Sequence, residues 1–461
     1  MKLFVKDKDF YKSFFSLTGM IALQNVITFS VNLADNLMLG AYSEEAMSGA
    51  ALVNQIQFLL QMLILGVGEG LVVLASQYWG KGEIKPIKRL TSCALGVGLG
   101  ASLLLFGAVF CAPRFCLSLF TNQQAYVEQA VKYMNIICFS YPIFAVTNVL
   151  LASLRSVETV KIGYLVSLST LVINCTLNYF LIFGNFGAPE MGAQGAATAT
   201  LIARIVELGI VLGFLFFREK KLRFAFKEFF ISSRALFKDY IASGLPIILS
   251  NASWGIAMAI QTAILGHMEG ALPANSIAST VYQIVSVLAY GASSVACIIT
   301  GKTIGSGRSG LIKDYARTMQ IIFLIIGLFT GLALFCLRGP ILSLYKISEA
   351  TRALAGSFLM VLSVTVIGTS YQVAVLTGIV RGGGDTRFVF FNDLIFMWLI
   401  VLPASAAAAF WLELSPVWVF ICLKADQVLK CAVAFVKVNF GKYIHKPVSY
   451  THLTLPTILR V

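Results

Sequence analysis

From Ser13 to Ser43 the chain carries one charged residue, Asp35, in an otherwise apolar and neutral-polar stretch. Charge-free or sparsely charged runs recur along its length, at roughly 13–43, 46–68, 90–113, 133–154, 162–183, 191–217, 240–266, 271–300, 318–337, 353–380, 388–412 and 414–436. Each is long enough to cross a hydrocarbon core about 30 Å thick, which takes about 20 helical residues. Inside a bilayer the backbone N–H and C=O groups find no water, so these runs must be helices. Composition agrees: 58% of the 461 residues are hydrophobic and 12% are charged, against about a quarter charged in an ordinary globular chain. The expectation is an all-α polytopic membrane protein with twelve transmembrane helices. The first run exceeds the apolar core of a signal peptide and lacks a following small-residue cleavage site, so it reads as the first span.

The formal net charge of +14 raises the question of nucleic acid, and the placement of the charges answers it. When loops are assigned alternately to the two membrane faces, the face bearing both termini collects 26 Lys and Arg and the other face five. That bias is what the positive-inside rule predicts for a multi-pass protein of the cytoplasmic membrane with both termini in the cytoplasm. The basic stretch Arg218–Lys238 is then a cytoplasmic connection, with anionic-lipid contact as a secondary reading, and no nucleic-acid partner is expected. Nine cysteines lie mostly in apolar runs without metal-ligand or CxxC spacing, and read as small buried hydrophobes.

The two halves repeat. GMIALQNVITFSVNLADNLMLG (19–40) aligns with LPIILSNASWGIAMAIQTAILG (245–266), so that Asn25 matches Asn251 and Gly40 matches Gly266 at an offset of 226. Gly66, Gly80 and Gly82 match Gly291, Gly305 and Gly307 at 225, and LASLRSVET (151–159) matches LTGIVRGGGDT (376–386) at 226 to 227. Each half holds six spans, an even number, so the repeat is parallel. The expected domains are an N-terminal lobe (1–217), a basic connection (218–239), a C-terminal lobe (240–447) and a tail (448–461) that breaks the composition and reads as non-native.

Two polar stripes stand out. On a helix turning about 100° per residue, Asn25, Thr28, Asn32, Asp35 and Asn36 fall in one sector of span 1. Such a stripe faces protein or a water-filled cavity rather than lipid. A charged carboxylate at mid-bilayer costs about 2.5 to 3.5 kcal/mol on insertion scales, which makes an intramembrane acid a functional candidate by default. On span 5, Ser167, Thr170, Asn174 and Asn178 share a face. Their neutral oxygens suit the shell of a hard cation such as Na⁺ at Asp35; alternatively the buried carboxyl carries a proton. Either way ion and substrate compete, and exchange follows from a shift between inward-open and outward-open states.

NLADNLMLG, GVGEGLVVLASQYWGKG, LASLRSVETVK, the stretch 174–204 and VLTGIVRGGGDTR resemble the multidrug and toxic compound extrusion (MATE) family, and the similarity spans about Lys12 to Lys446. The resemblance implies a V-shaped, twelve-helix transporter exporting organic, often cationic, compounds in exchange for Na⁺ or H⁺. It implies that Asp35 faces Asn174 and Asn178, with Thr198, Gln261 and Asn251 also near a substrate cavity. The repeat mate of Asp35 is Gln261, which cannot titrate. Some branches carry a glutamate at the position of Asn251 and an aspartate near Thr369, and neither acid is present, so the pattern is closest to the DinF-like branch. Asn178 stands where an aspartate is frequent, and Met20 where several relatives have proline, although Pro246 keeps that residue in the second half. The alternative within the same superfamily is a lipid-linked oligosaccharide flippase, which would call for more basic residues in span interiors.

Arg204 and Glu207, three apart on span 6, read first as a structural ion pair. Asp393 and Glu69 lie near span ends, where snorkelling or capping accounts for them. Arg155 and Arg381 read as span-end anchors. Gly305, Gly307 and Gly310 spell GxGxxG without the strand a dinucleotide site requires; by the repeat, Gly80/Gly82 and Gly305/Gly307 end helices in tight loops. Tyr141, Tyr282 and Tyr371 are weak candidates for an aromatic substrate contact. No catalytic motif occurs and the chain has three His, so the expectation is a transporter with no enzymatic step, no cofactor beyond a coupling H⁺ or Na⁺, a small organic substrate, lipid around it, and a monomeric state.

Overall fold

The structure is a computed structural model that describes residues 4–118, 124–231, 233–343, 345 and 347–445, so the tail at 448–461 lies outside the described residues. Its helices are α1 (Lys8–Tyr42), α2 (Glu44–Lys81), α3 (Ile84–Cys111), α4 (Pro113–Ser118), α5 (Gln124–Ile137), α6 (Ser140–Ser156), α7 (Lys161–Leu181), α8 (Ala193–Phe217), α9 (Arg234–Gly266), α10 (Ala271–Gly305), α11 (Ser309–Ser343), α12 (Glu349–Val373), α13 (Thr386–Leu394), α14 (Leu402–Ala406), α15 (Pro416–Lys424) and α16 (Asp426–Phe440). Among the described residues there is no strand, only an isolated bridge between Gly384 and Ile444. Among the described residues, ten continuous helical stretches are long and apolar enough to cross a membrane, and α5 and α6 form a further pair bent by 54°. The last apolar run is α15 and α16, which meet at Ala425 and carry Lys424, Asp426 and Lys430. The protein is an all-helical, multi-pass integral membrane protein.

The helices form two compact units. One comprises Leu23–Ala75 and Glu83–Ile248; the other comprises the chain up to Ala22, Ser76–Gly82, and Leu249 onward. In the first, α1, α2, α5 and α8 pack around Leu39, Ala50, Val53, Ile56, Met134, Ile137 and Ala196. In the second, α9, α10, α12, α15 and the stretch after α13 meet around Ala257, Ala274, Ala278, Phe358, Leu362, Val401 and Phe420, with Phe358 and Phe420 stacked at 4.1 Å.

Lipid tails are as apolar as leucine, so membrane helices associate through close packing, and small residues let their backbones approach. The second unit shows this twice over. A Cβ at Gly80 would overlap the carbonyl of Lys302, and one at Gly305 would overlap the carbonyl of Gln77. Gly80/Gly305 and Gln77/Lys302 are both related by the 225-residue offset, so one close approach of the ends of α2 and α10 is made twice, by equivalent residues. This corrects the loop reading of Gly80 and Gly305, which are helical. Gly82 (φ +80°) and Gly307 (φ +74°) make the turns, in a backbone region that favours glycine.

The basic connection after α8 is folded onto α3. Residues Phe226–Phe230 form a 3₁₀ turn, Ser92 Oγ donates to the Phe229 carbonyl at 2.6 Å, and Lys88 Nζ reaches Glu228 at 2.7 Å and the Arg223 carbonyl at 2.8 Å. Glu219 accepts from the backbone N–H groups of Lys221, Leu222 and Arg223, fixing the turn that starts it. Partial burial of Glu228 opposes its charge, but Lys88 and the Ala225 N–H outweigh that and hold its carboxyl below the usual carboxylate range.

Two predictions follow from these contacts. Gly80→Ala and Gly305→Ala each overpack a helix crossing, at about 1–3 kcal/mol; thermal unfolding of the solubilised protein will show both well below wild type, while Gly100→Ala, where a Cβ meets nothing within 4 Å, stays close to it. Because the Glu228 carboxyl titrates lower in the folded chain than in the unfolded one, the Lys88–Glu228 tie contributes fully above the ordinary carboxylate range and is lost as pH falls through the lowered value. Limited proteolysis near residues 220–231 will therefore accelerate at acid pH in wild type, and at neutral pH in Lys88→Met.

Candidate cation site

Asp35 lies on α1 one to two turns from its C-terminal end, and α7 supplies the groups that meet it. Asn178 Nδ2 donates to Asp35 Oδ1 in a short hydrogen bond and to Asn174 Oδ1 at 3.1 Å, and Asn174 Nδ2 donates to Thr200 Oγ1 on α8 at 3.1 Å. Asn174 and Asn178 are both fully buried. This is a ladder of amides from the carboxylate into the protein, as the four-residue spacing of Thr170, Asn174 and Asn178 requires. Asn178 Oδ1 is buried and makes no hydrogen bond. A buried acceptor left unpaired is unfavourable unless something donates to it or is coordinated by it.

Asp35 opens onto a cavity of about 30 Å³ lined also by Asn32, Asn36, Leu39, Ala50, Asn54, Gln57, Gln61, Tyr133, Thr170, Asn174, Thr200 and Arg204. That volume admits about two or three ligands of water size, since a single water needs about 10–15 Å³ of such space. The lining is dominated by carboxylate, amide and hydroxyl groups. The donor set at the cavity is one carboxylate with neutral amide and hydroxyl oxygens, and among the described residues no group of three or more His, Cys, Asp and Glu could hold a metal ion.

Behind the cavity, Thr170 Oγ1 donates to Glu207 Oε1 at 2.6 Å, and Arg204 Nη1 reaches the two Glu207 oxygens at 2.9 and 3.2 Å. The Arg204 guanidinium also lies 4.8 Å from the Phe144 ring centroid. Arg204 and Glu207 thus form the expected pair, and Arg204 additionally faces the Asp35 cavity. Thr28 approaches Ser167 at 3.4 Å, tying the two stripes together below the cavity.

Other expected residues fall elsewhere. Thr200, not Thr198, lines the cavity; the Thr198 hydroxyl returns to the Gln194 carbonyl. Asn25 and Thr28 are not among its lining residues, and Asn251 and Gln261 belong to the other compact unit, where Gln261 is buried with Nε2 3.4 Å from Met397 Sδ. Tyr141, Tyr282 and Tyr371 direct their hydroxyls to Met134, Thr369 and Gln320. Asp393 accepts from Ser250 Oγ at 2.7 Å and Lys430 Nζ at 2.9 Å, partners that the span-end reading did not include. Sequence reasoning missed Asn54, Gln57 and Gln61 on α2. Their spacing of three and four is the same signal that revealed the α1 stripe.

A family model described as MatE matches residues 21–180 and again 246–407, so its two matches begin 225 residues apart, at the offset of the internal repeat. The chain is 24% identical over 431 residues to a probable multidrug resistance protein NorM of Thermotoga maritima, covering 91% of this chain and 90% of that one. It is 25% identical over 437 residues to a protein of the same name from Listeria monocytogenes, covering 93% and 94%. A crystal structure of a MATE in complex with MaL6 superposes with a TM-score of 0.83 at 18% identity, over 93% of this chain and 95% of that one, which establishes the shared fold. The chain belongs to the MATE family of membrane transporters.

Proposed function

We propose that the protein is a cation-coupled antiporter that exports organic, chiefly cationic, drugs or metabolites across the cytoplasmic membrane by alternating access, with H⁺ or Na⁺ exchanging at Asp35. The observation that carries this reading is a carboxylate on a small cavity lined by amide and hydroxyl groups of α1, α2, α7 and α8, with room for a small ion. An ion there would be met by Asp35, Asn174 and the α2 amides Asn54, Gln57 and Gln61, while a proton would need only one carboxylate oxygen. In either case loading neutralises Asp35, and an organic cation that displaces the ion is held by the same charge. The multidrug names of the relatives support the substrate class. The bias of basic residues supports cytoplasmic termini. A monomer in lipid suffices for this cycle, since the site lies within one chain.

The test is ethidium transport into inside-out vesicles, the export direction, under separately imposed Na⁺ and H⁺ gradients. Wild type will respond to one of the two gradients. Asp35→Asn will lose that response, its rate falling at least about tenfold, and Asn178→Ala will need about tenfold more of the driving ion, the equivalent of about 1.4 kcal/mol. Gradient-driven efflux at the wild-type rate in Asp35→Asn would overturn the assignment.

A further inference from the structure

The cavity at Asp35 has a charge balance that the carboxylate alone does not describe. Among its lining residues two are charged, Asp35 and Arg204, so its walls carry one formal negative and one formal positive charge. Arginine stays protonated in proteins, and on that count a cation entering the cavity meets repulsion as well as attraction. The charge that tips the balance lies behind the wall: Glu207 is almost wholly buried, and Arg204 Nη1 reaches its two oxygens at 2.9 and 3.2 Å. Other charges are remote or cancel. None occurs on α1 between Lys12 and Asp35 or on α7 after Lys161, α8 has only Arg204 and Glu207, and α6 has only Arg155, next to its last residue. On α2 the charge nearest Gln61 is Glu69, eight residues on and about 12 Å along the axis. Glu128 and Lys132 of α5 are both exposed and of opposite sign. Asp35, Arg204 and Glu207 together therefore leave one net negative charge.

Both members of the pair are also fixed from other helices. Thr170 Oγ1 donates to Glu207 Oε1 at 2.6 Å, and Thr170 shares the α7 face of Asn174 and Asn178, so the acid is held by the same helix that meets Asp35. The Arg204 guanidinium lies 4.8 Å from the ring centroid of Phe144 on α6, a contact that favours a cation. The Arg204 side chain keeps 22% of its surface open against 7% for Glu207. The open member of the pair is thus the cation, and it is the cation that lines the cavity. A pair that only tied helices together would need no place on that wall.

We propose, resting on the exchange role proposed for Asp35, that Glu207 is a positioning residue that engages the Arg204 guanidinium and so keeps Asp35 available to cations, and that Arg204, held in this way, sets how tightly the cavity binds them. With the guanidinium on Glu207, Asp35 keeps a full negative charge for the ion or the organic cation. Without Glu207, Arg204 is a buried cation whose remaining acid is Asp35 on the wall of the same cavity. It then acts as a tethered counter-ion that occupies the carboxylate and competes with ion and substrate alike. Without Arg204, the cavity loses its repelling charge and gains the field of a bare Glu207, so cations bind more tightly and leave more slowly. The wild-type pair holds Asp35 charged yet weak enough to release what it binds, which exchange requires. Whichever ion Asp35 takes, the two charges act on it in the same sense, and neither Arg204 nor Glu207 has to change protonation.

Ethidium uptake into inside-out vesicles tests this, with the lumenal concentration of the driving ion, Na⁺ or H⁺, that gives half the maximal rate determined for each variant. Glu207→Gln will raise that concentration at least about tenfold, and Arg204→Met will lower it by about the same factor, with a reduced maximal rate because the ion leaves slowly. The double variant Arg204→Met/Glu207→Gln leaves Asp35 as the only charge, the same total as in wild type, and will return the value to within about threefold of wild type. It strands no buried charge, so it serves beside the remaining single variant if one of the two folds poorly. A merely structural pair would weaken the site in both single variants; shifts of the same sign in both would therefore overturn the proposal. So would an unchanged value in either, or a double variant that stays with Glu207→Gln. Asp35→Asn run alongside separates the two readings. Gradient-driven uptake at the wild-type rate in that variant overturns the Asp35 assignment and this proposal with it, whereas loss of uptake there with unmoved Arg204 and Glu207 variants overturns this proposal alone.

Discussion

A bilayer interior offers a charge neither water nor counter-ions, and the polar contacts within the spans of this protein answer to that constraint. Asp35 is met by the Asn178 amide, Glu207 by Thr170 and Arg204, and Lys430 by two carboxylates. An apolar residue at any of these places would be less costly in such a medium, and each charge is met by a partner of opposite or hydrogen-bonding character. The chain confines them to a few helix faces and keeps the rest of each span apolar.

The same medium removes the usual driving force for burying leucine, so the helices are held by fit. The reciprocal crossing of Gly80 on Lys302 and Gly305 on Gln77 shows how a duplicated sequence is used: one close approach, encoded twice, brings the ends of α2 and α10 together within a single unit. Chemistry has diverged while packing has not. Asp35 has become Gln261 at its repeat position, and Asn25 has its mate in Asn251, yet the glycines at the crossing match. The acids of the C-terminal unit stand instead at positions 393 and 426, on helices whose N-terminal counterparts carry no acid in the Asp35 cavity.

Much of this was legible in sequence because it depends on local spacing. Spans show as absence of charge, and the Asp35 stripe shows because Asn, Thr and Asp at intervals of three and four cannot all face lipid. That Asn174 and Asn178 share a face with Thr170 is likewise periodicity; that they meet Asp35 rested on family resemblance. Thr198 and Thr200 illustrate the limit, since two residues apart on a helix point about 200° apart, and only the neighbouring helix decides which one lines a cavity. The α2 amides were hidden by reading 46–68 for length alone. Asp393 looked like a span-end residue because Lys430 is 37 positions away, although three charges at 424, 426 and 430 inside an apolar run were a visible signal. Gly80 and Gly305 resembled loop glycines because both sit two residues before one that truly turns.

The account centres on competition at Asp35 between a small ion and an organic cation. Its most direct measurement is ion release on substrate binding: purified protein in weakly buffered or trace-²²Na⁺ solution is titrated with ethidium, and the protons or sodium ions set free are counted. The predicted result is about one ion released per ethidium bound in wild type and that release missing in Asp35→Asn. Ethidium binding that frees no ion in wild type, or frees the same number in Asp35→Asn, would contradict it.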